Sequence, residues 1–169
     1  TNYRKNILQG LTYDIFRKRL DEISYSNDPD FISSGIGKSD FNQNYSFEYF
    51  FVNLTKENLE RGITRFYTEV ERVLRYGFNE AELKAAKDRY ILTSEDDLLE
   101  SKTRSSISYV DEFERNYLND EMISGMEYEL KLKKELIPTL TINEINQYFS
   151  ELFNEGNKFI EIKSPPNIE

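Results

Sequence analysis

The sequence predicts an α+β domain in which a small antiparallel sheet packs against several helices. Three observations lead there. Apolar residues recur at helical spacing over most of the chain; two neighbouring strand-like runs lie in its first third, the second rich in aromatic residues; and a short run with β-branched residues lies near the C-terminus.

In chain order, Leu8, Leu11, Ile15, Leu20 and Ile23 recur at three-to-five spacing and predict an amphipathic helix over 2–25. "SYSNDPD" ends it, since Pro29 lacks a backbone donor and biases Asp28 away from the α region. "FISSGIGKS" (31–39) and "NYSFEYFFVNL" (44–54) then predict an antiparallel hairpin. Period two puts Tyr45, Phe47, Tyr49 and Phe51 on one face of the second strand, and that aromatic face is assigned to the core. From Thr55 the period turns helical through Leu59, Ile63, Phe66, Val70 and Val73, with Thr55 read as the cap and Leu54 and Leu59 as a staple across it. Further helices are expected at about 79–103, 104–119, 124–136 and 141–153, and a last strand, "NKFIEIK", at 157–163. Three strands make a thin sheet, so the parent protein is expected to supply others.

The charged stretch "RYGFNEAELKAAKDR" (75–89) reads as a joint between helices. Gly77 suits a position of positive φ, Asn79 and Glu82 form a reciprocal capping box, and Phe78 and Leu83 flank it. "TLTINEIN" repeats this logic with Thr141, Glu144, Leu140 and Ile145.

Composition narrows the chemistry. With Lys+Arg 22 against Asp+Glu 31, the net charge of −9 repels phosphate backbones and anionic lipid, so neither nucleic acid nor membrane insertion is expected. No apolar run approaches a membrane-spanning length. Cysteine is absent, which removes disulfides and thiolate sites, and histidine is absent, which removes a self-contained triad or a histidine-held zinc. The length fits a single domain over 1–169, and the start inside a helix is read as that of an excised or mature fragment.

Four groups are candidate sites. The aromatic strand 45–51 could stack bases, but it holds Glu48 and neither Lys nor Arg, which favours a core. "SEDDLLES" (Glu95, Asp96, Asp97, Glu100) offers cation ligands, yet on a helix they splay around the axis. Asp28 and Asp30 form a short acidic loop. Arg104 and Tyr109 could grip the backbone carbonyls of a bound peptide, although residues five apart do not share a helix face.

Taken in order, "RLDEI", the extended pair, "YTEVERVLRYGFNEAELKAAKDRY" and "SYVDEFERNYLNDEMISGMEYELKLKKELIPTLTINEINQYF" resemble the second, non-catalytic domain of insulinase-like (pitrilysin-type) zinc metallopeptidases. The most specific parts are Glu-x-x-Arg followed by Gly-Phe-Asn-x-x-Glu-Leu-x-x-Ala-Lys from Glu71, and Gly-x-Glu-Tyr-Glu-Leu from Gly125. The resemblance implies the repeated α+β domain of pitrilysin and mitochondrial processing peptidase-like metallohydrolases, here an excised fragment lacking the first strands of such a domain, paired with homologous domains into a chamber around an unfolded peptide. It implies no cofactor in this fragment and zinc in the parent's catalytic domain, held through an inverted His-x-x-Glu-His motif that a chain without histidine cannot carry. The implied partners are the catalytic domain of the same parent chain and the peptide substrate, with Arg104 and Tyr109 as substrate contacts. The bacterial habit of the family implies a periplasmic or envelope location. The alternative is a structural or assembly domain of an inactive relative.

Overall fold

In a computed structural model, the described residues are 2–42, 45–101, 110, 113–114, 116–118, 125–154 and 158–163. The elements are helix α1 (Asn2–Ser24), strands β1 (Ser33–Asn42) and β2 (Tyr45–Asn53), and helices α2 (Leu59–Tyr76), α3 (Glu80–Glu100), α4 (Met126–Leu136) and α5 (Ile142–Asn154). A single 3₁₀ turn at Ile137–Thr139 bridges α4 and α5. The described residues between 110 and 118 are helical, in keeping with the helix expected there.

α1 is the centre of the molecule. It packs on β1, α3 and α5, and Leu11, Ile15, Phe16 and Leu20 along it are almost wholly shielded from solvent. Phe16 meets Phe149 of α5 at 4.9 Å between ring centroids, Phe50 of β2 at 6.0 Å and Phe66 of α2 at 6.2 Å, so one side chain joins four elements. Burying a side chain of this size stabilises by about 1.5–3 kcal/mol.

The helix joints follow the sequence closely. Asn79 Oδ1 accepts from the backbone N–H of Ala81 and Glu82, and Glu82 Oε2 accepts in return from the Asn79 N–H at 2.8 Å. Gly77 takes φ 73°. Thr141 and Glu144 cap each other in the same way ahead of α5.

Three expectations are corrected. α2 begins at Leu59, and the residue at its cap position is Asn58, not Thr55. Leu54 explains this: it lies where a side chain on Gly62 would stand, so the strand packs against the helix through a buried glycine and needs no staple to Leu59. Second, the sheet among the described residues has two strands. Residues 158–163 of the expected last strand are unpaired, with Phe159, Ile160 and Ile162 exposed, because neither β1 nor β2 receives them. Third, the aromatic face of β2 is not core. Phe50 and Val52 pack inward, while Tyr45, Phe47, Tyr49 and Phe51 face solvent, since every helix of the core lies on the other side of the hairpin.

Candidate functional site

The hairpin register builds the outer face. β1 pairs antiparallel with β2 so that Gly35 lies opposite Phe51 and Gly37 opposite Tyr49. Both rings fold across the neighbouring strand into the space that a side chain on these glycines would need: Phe51 lies over Gly35, and Tyr49 Oη stands 2.7 Å from where a Gly37 Cβ would be. The two glycines therefore level the rings into a flat surface, and Phe51 buries the Gly35 backbone beneath it. Phe47 extends the surface, its ring 6.3 Å from that of Tyr49. The rings remain open to solvent, with Phe47 51 %, Tyr49 41 % and Phe51 45 % exposed.

The charged residues of both strands, Lys38, Asp40 and Glu48, occupy the alternate register positions. That leaves the outer face uncharged in a chain where 31% of residues are charged. At one end the Asn53 amide donates to Ser33 Oγ at 2.8 Å, a neutral polar edge to the aromatic surface.

The inner face fixes the hairpin to the helices. Glu48 accepts from Tyr148 Oη of α5 at 2.6 Å and from Gln9 Nε2 of α1 at 2.8 Å, and the same Gln9 amide donates to Tyr13 Oη. Burial, and then the adjacent Glu48 carboxylate, push the Tyr148 and Tyr13 phenols up from their ordinary value, so both stay protonated and Tyr148 remains a donor.

A polar cavity of about 430 Å³ lies elsewhere, between the end of α1 and α2. Its walls bring Arg19, Arg65 and Arg72 against Asp30, Glu69 and Glu82, among other residues. Glu69, only 4 % exposed, accepts from Arg72 at 3.0 Å and pairs with Arg65 at 3.2 Å, while Arg19 holds Glu82 and the Gly77 carbonyl. These opposite charges pair with one another, with Arg65 Nε buried 3.7 Å from Asp30 and without a hydrogen-bond partner, and the cavity is read as a structural network.

The acidic loop raised from the sequence is engaged likewise. Arg61 binds Asp28 through two nitrogens and Asp30 at 2.6 Å, which neutralises the loop that a calcium ion would need. Glu95 pairs with Lys134 at 2.5 Å. Among the described residues no group of three or more acidic side chains could hold a metal ion, and a chain with neither histidine nor cysteine does not fit a zinc site held through His-x-x-Glu-His. Arg104 and Tyr109 lie outside the described residues.

No protein-family model matches the sequence. The fold is nevertheless shared: an insulinase family protease from Yersinia pestis matches at TM-score 0.69 and 16% identity over 88% of this chain and 32% of that one. Among individual proteins the similarity is to PqqL proteases. The first half of the periplasmic protease PqqL from Escherichia coli matches at TM-score 0.81 and 17% identity, covering 89% of this chain and 32% of that one. The whole of that protease matches at 0.83 and 17% identity over 90% of this chain and 17% of its own length. In sequence, the chain is 30% identical over 103 residues to a zinc protease PQQL-like protein of Arabidopsis thaliana, covering 59% of this chain. This chain spans 11% of the length of that relative.

Proposed function

We propose that this chain is the second, non-catalytic domain of a zinc-dependent endopeptidase, helping to form the chamber that encloses peptide substrates. One observation carries the reading: a chain that shares its fold with a protease half and a stretch of sequence with a zinc protease has no histidine, so in this reading the inverted motif that binds zinc and activates water comes from another part of the parent polypeptide. The partners are then the catalytic domain of the same polypeptide and an unfolded peptide. The periplasmic character of PqqL supports an envelope location. Arg104 and Tyr109 are proposed as contacts to the substrate backbone.

Metal analysis of the purified chain, with an assay on an unstructured peptide, tests this. The expected result is neither stoichiometric zinc nor hydrolysis, against chelator-sensitive hydrolysis by the full polypeptide. One tightly held zinc, or cleavage by the chain alone, would overturn it. A full polypeptide without His-x-x-Glu-His, and without a partner that supplies it, selects the assembly role instead.

A further inference from the structure

We infer that the hairpin opens in two parts, and that Glu48 is the latch that holds its distal part, residues 38–42 and 45–48, down on α1 and α5. This device is independent of the proposed function and stands or falls apart from it.

The inner face of the hairpin changes character along its length. At the root its cross-strand neighbours are Ser34 with Val52 and Ile36 with Phe50. Ile36, Phe50 and Val52 pack on the core, and the Phe50 ring lies 4.9 Å from that of Phe153, 6.0 Å from that of Phe16 and 6.1 Å from that of Phe66. The next inner pair is Lys38 with Glu48, and from there to the turn no described apolar residue of either strand packs against the core. Phe41, Tyr45 and Phe47 are exposed there. Apolar burial therefore holds the root, and polar contacts hold the rest.

Those polar contacts converge on one carboxylate. Glu48 Oε1 accepts from Tyr148 Oη of α5 at 2.6 Å and from Gln9 Nε2 of α1 at 2.8 Å, and Gln9 also donates to Tyr13 Oη at 2.7 Å. Hydrogen bonds to an ionised group are roughly twice as strong as neutral ones, and a buried partner left without one carries the full cost of its desolvation. Tyr148 is 8 % exposed, so its hydroxyl depends on Glu48 while the hairpin is closed. Beyond the latch the ladder itself is interrupted. Its register shifts between Asp40 and Asn42, and a bulge of this kind leaves a residue out of the pairing. The Asn42 side chain accepts from the Tyr45 N–H at 3.0 Å, which closes the turn on itself. Segments held by few apolar contacts open locally at less cost than the core beside them. With the latch released, the distal part lifts about the Ile36 and Phe50 pair while the root stays packed.

Amide hydrogen exchange of this chain, followed residue by residue by NMR at increasing urea, tests the device. In the wild type the ladder amides of 38–42 and 45–48 are expected to exchange through an opening that urea hardly changes, and those of 33–36 and 50–53 through one that quickens with urea as global unfolding does. A single urea dependence shared by both parts overturns the two-part hairpin. Tyr148→Phe removes a donor to the latch and keeps the ring, and is expected to speed exchange of the distal amides at least about tenfold beyond any change at the root or in α1. Glu48→Ala is expected to match it, while Glu48→Gln, which keeps a carbonyl acceptor for Tyr148, gives a smaller increase. Distal and root amides that quicken together in the folded Tyr148→Phe variant, or distal amides that do not quicken, overturn the latch. Should Tyr148→Phe fail to fold, Gln9→Ala takes its place and is judged by the same two readings.

Discussion

Asn146 closes its side chain on the Phe78 peptide, accepting from the N–H at 2.7 Å and donating to the carbonyl at 3.3 Å, and so ties α5 to the joint between α2 and α3. Gly77 beside it has φ 73°, and a Cβ there would stand 2.6 Å from the Asn146 amide nitrogen. Gly77→Ala is therefore expected to cost at least about 1–2 kcal/mol from backbone strain alone, and Asn79→Ala about 1 kcal/mol from the lost cap, both read by urea denaturation. Glu144 adds a pH dependence. Hydrogen bonding from Arg4, and then from the Thr141 N–H, pulls its carboxyl from 4.5 down to about 2. Folding thus favours the ionised form, so its contribution is complete above the ordinary value and is lost as the pH falls through about 2. Glu144→Gln is expected to flatten the fall in stability between those two pH values, followed by thermal melts at a series of pH.

At the scale of elements, the hairpin has two faces in different surroundings. Phe16→Ala beneath it opens a cavity among Phe50, Phe66 and Phe149 and is expected to cost about 3–5 kcal/mol. The outward pair Tyr49→Ser/Phe51→Ser is expected to cost only about 1 kcal/mol, because it removes cross-strand contacts and no core. A loss in the outer pair as large as that of Phe16→Ala, measured by the same denaturation, would show that the outer face is structural. The contrast also explains what was legible. Capping boxes at Asn79 and Thr141 lie within four residues of themselves and could be read directly. The start of α2 could not, because it depends on Leu54 and Gly62 meeting in space. Alternation in β2 separated two faces but did not reveal which one the helices cover, and the spacing of Gly35 and Gly37 opposite two rings was the unused signal.

At the scale of the whole molecule, four tyrosines from three helices share one behaviour. Burial raises Tyr3 to about 12 and also raises Tyr13, Tyr90 and Tyr148, with neighbouring carboxylates adding to the effect in each. The protonated phenol is the form that folding favours, so this contribution is complete below the ordinary value of 10.0 and is lost as the pH rises towards and through the folded values. An absorbance titration of the 12 tyrosines is expected to show a late class that ionises together with alkaline unfolding. A single class titrating near the ordinary value would contradict the buried positions.

The sequence by itself determined the α+β class, the helix joints, the exclusion of a histidine-held zinc from this chain and the resemblance to insulinase-like peptidases. Each of these depends on residue identity or on contacts between close neighbours in the chain. Tertiary structure decided that the acidic loop is spent on Arg61, that opposite charges pair across the polar cavity, and that the aromatic strand face looks outward. Those outcomes depend on what stands opposite a residue in space. In a sheet covered by helices on one side only, period two is the same for the face that is buried and for the face left open to solvent.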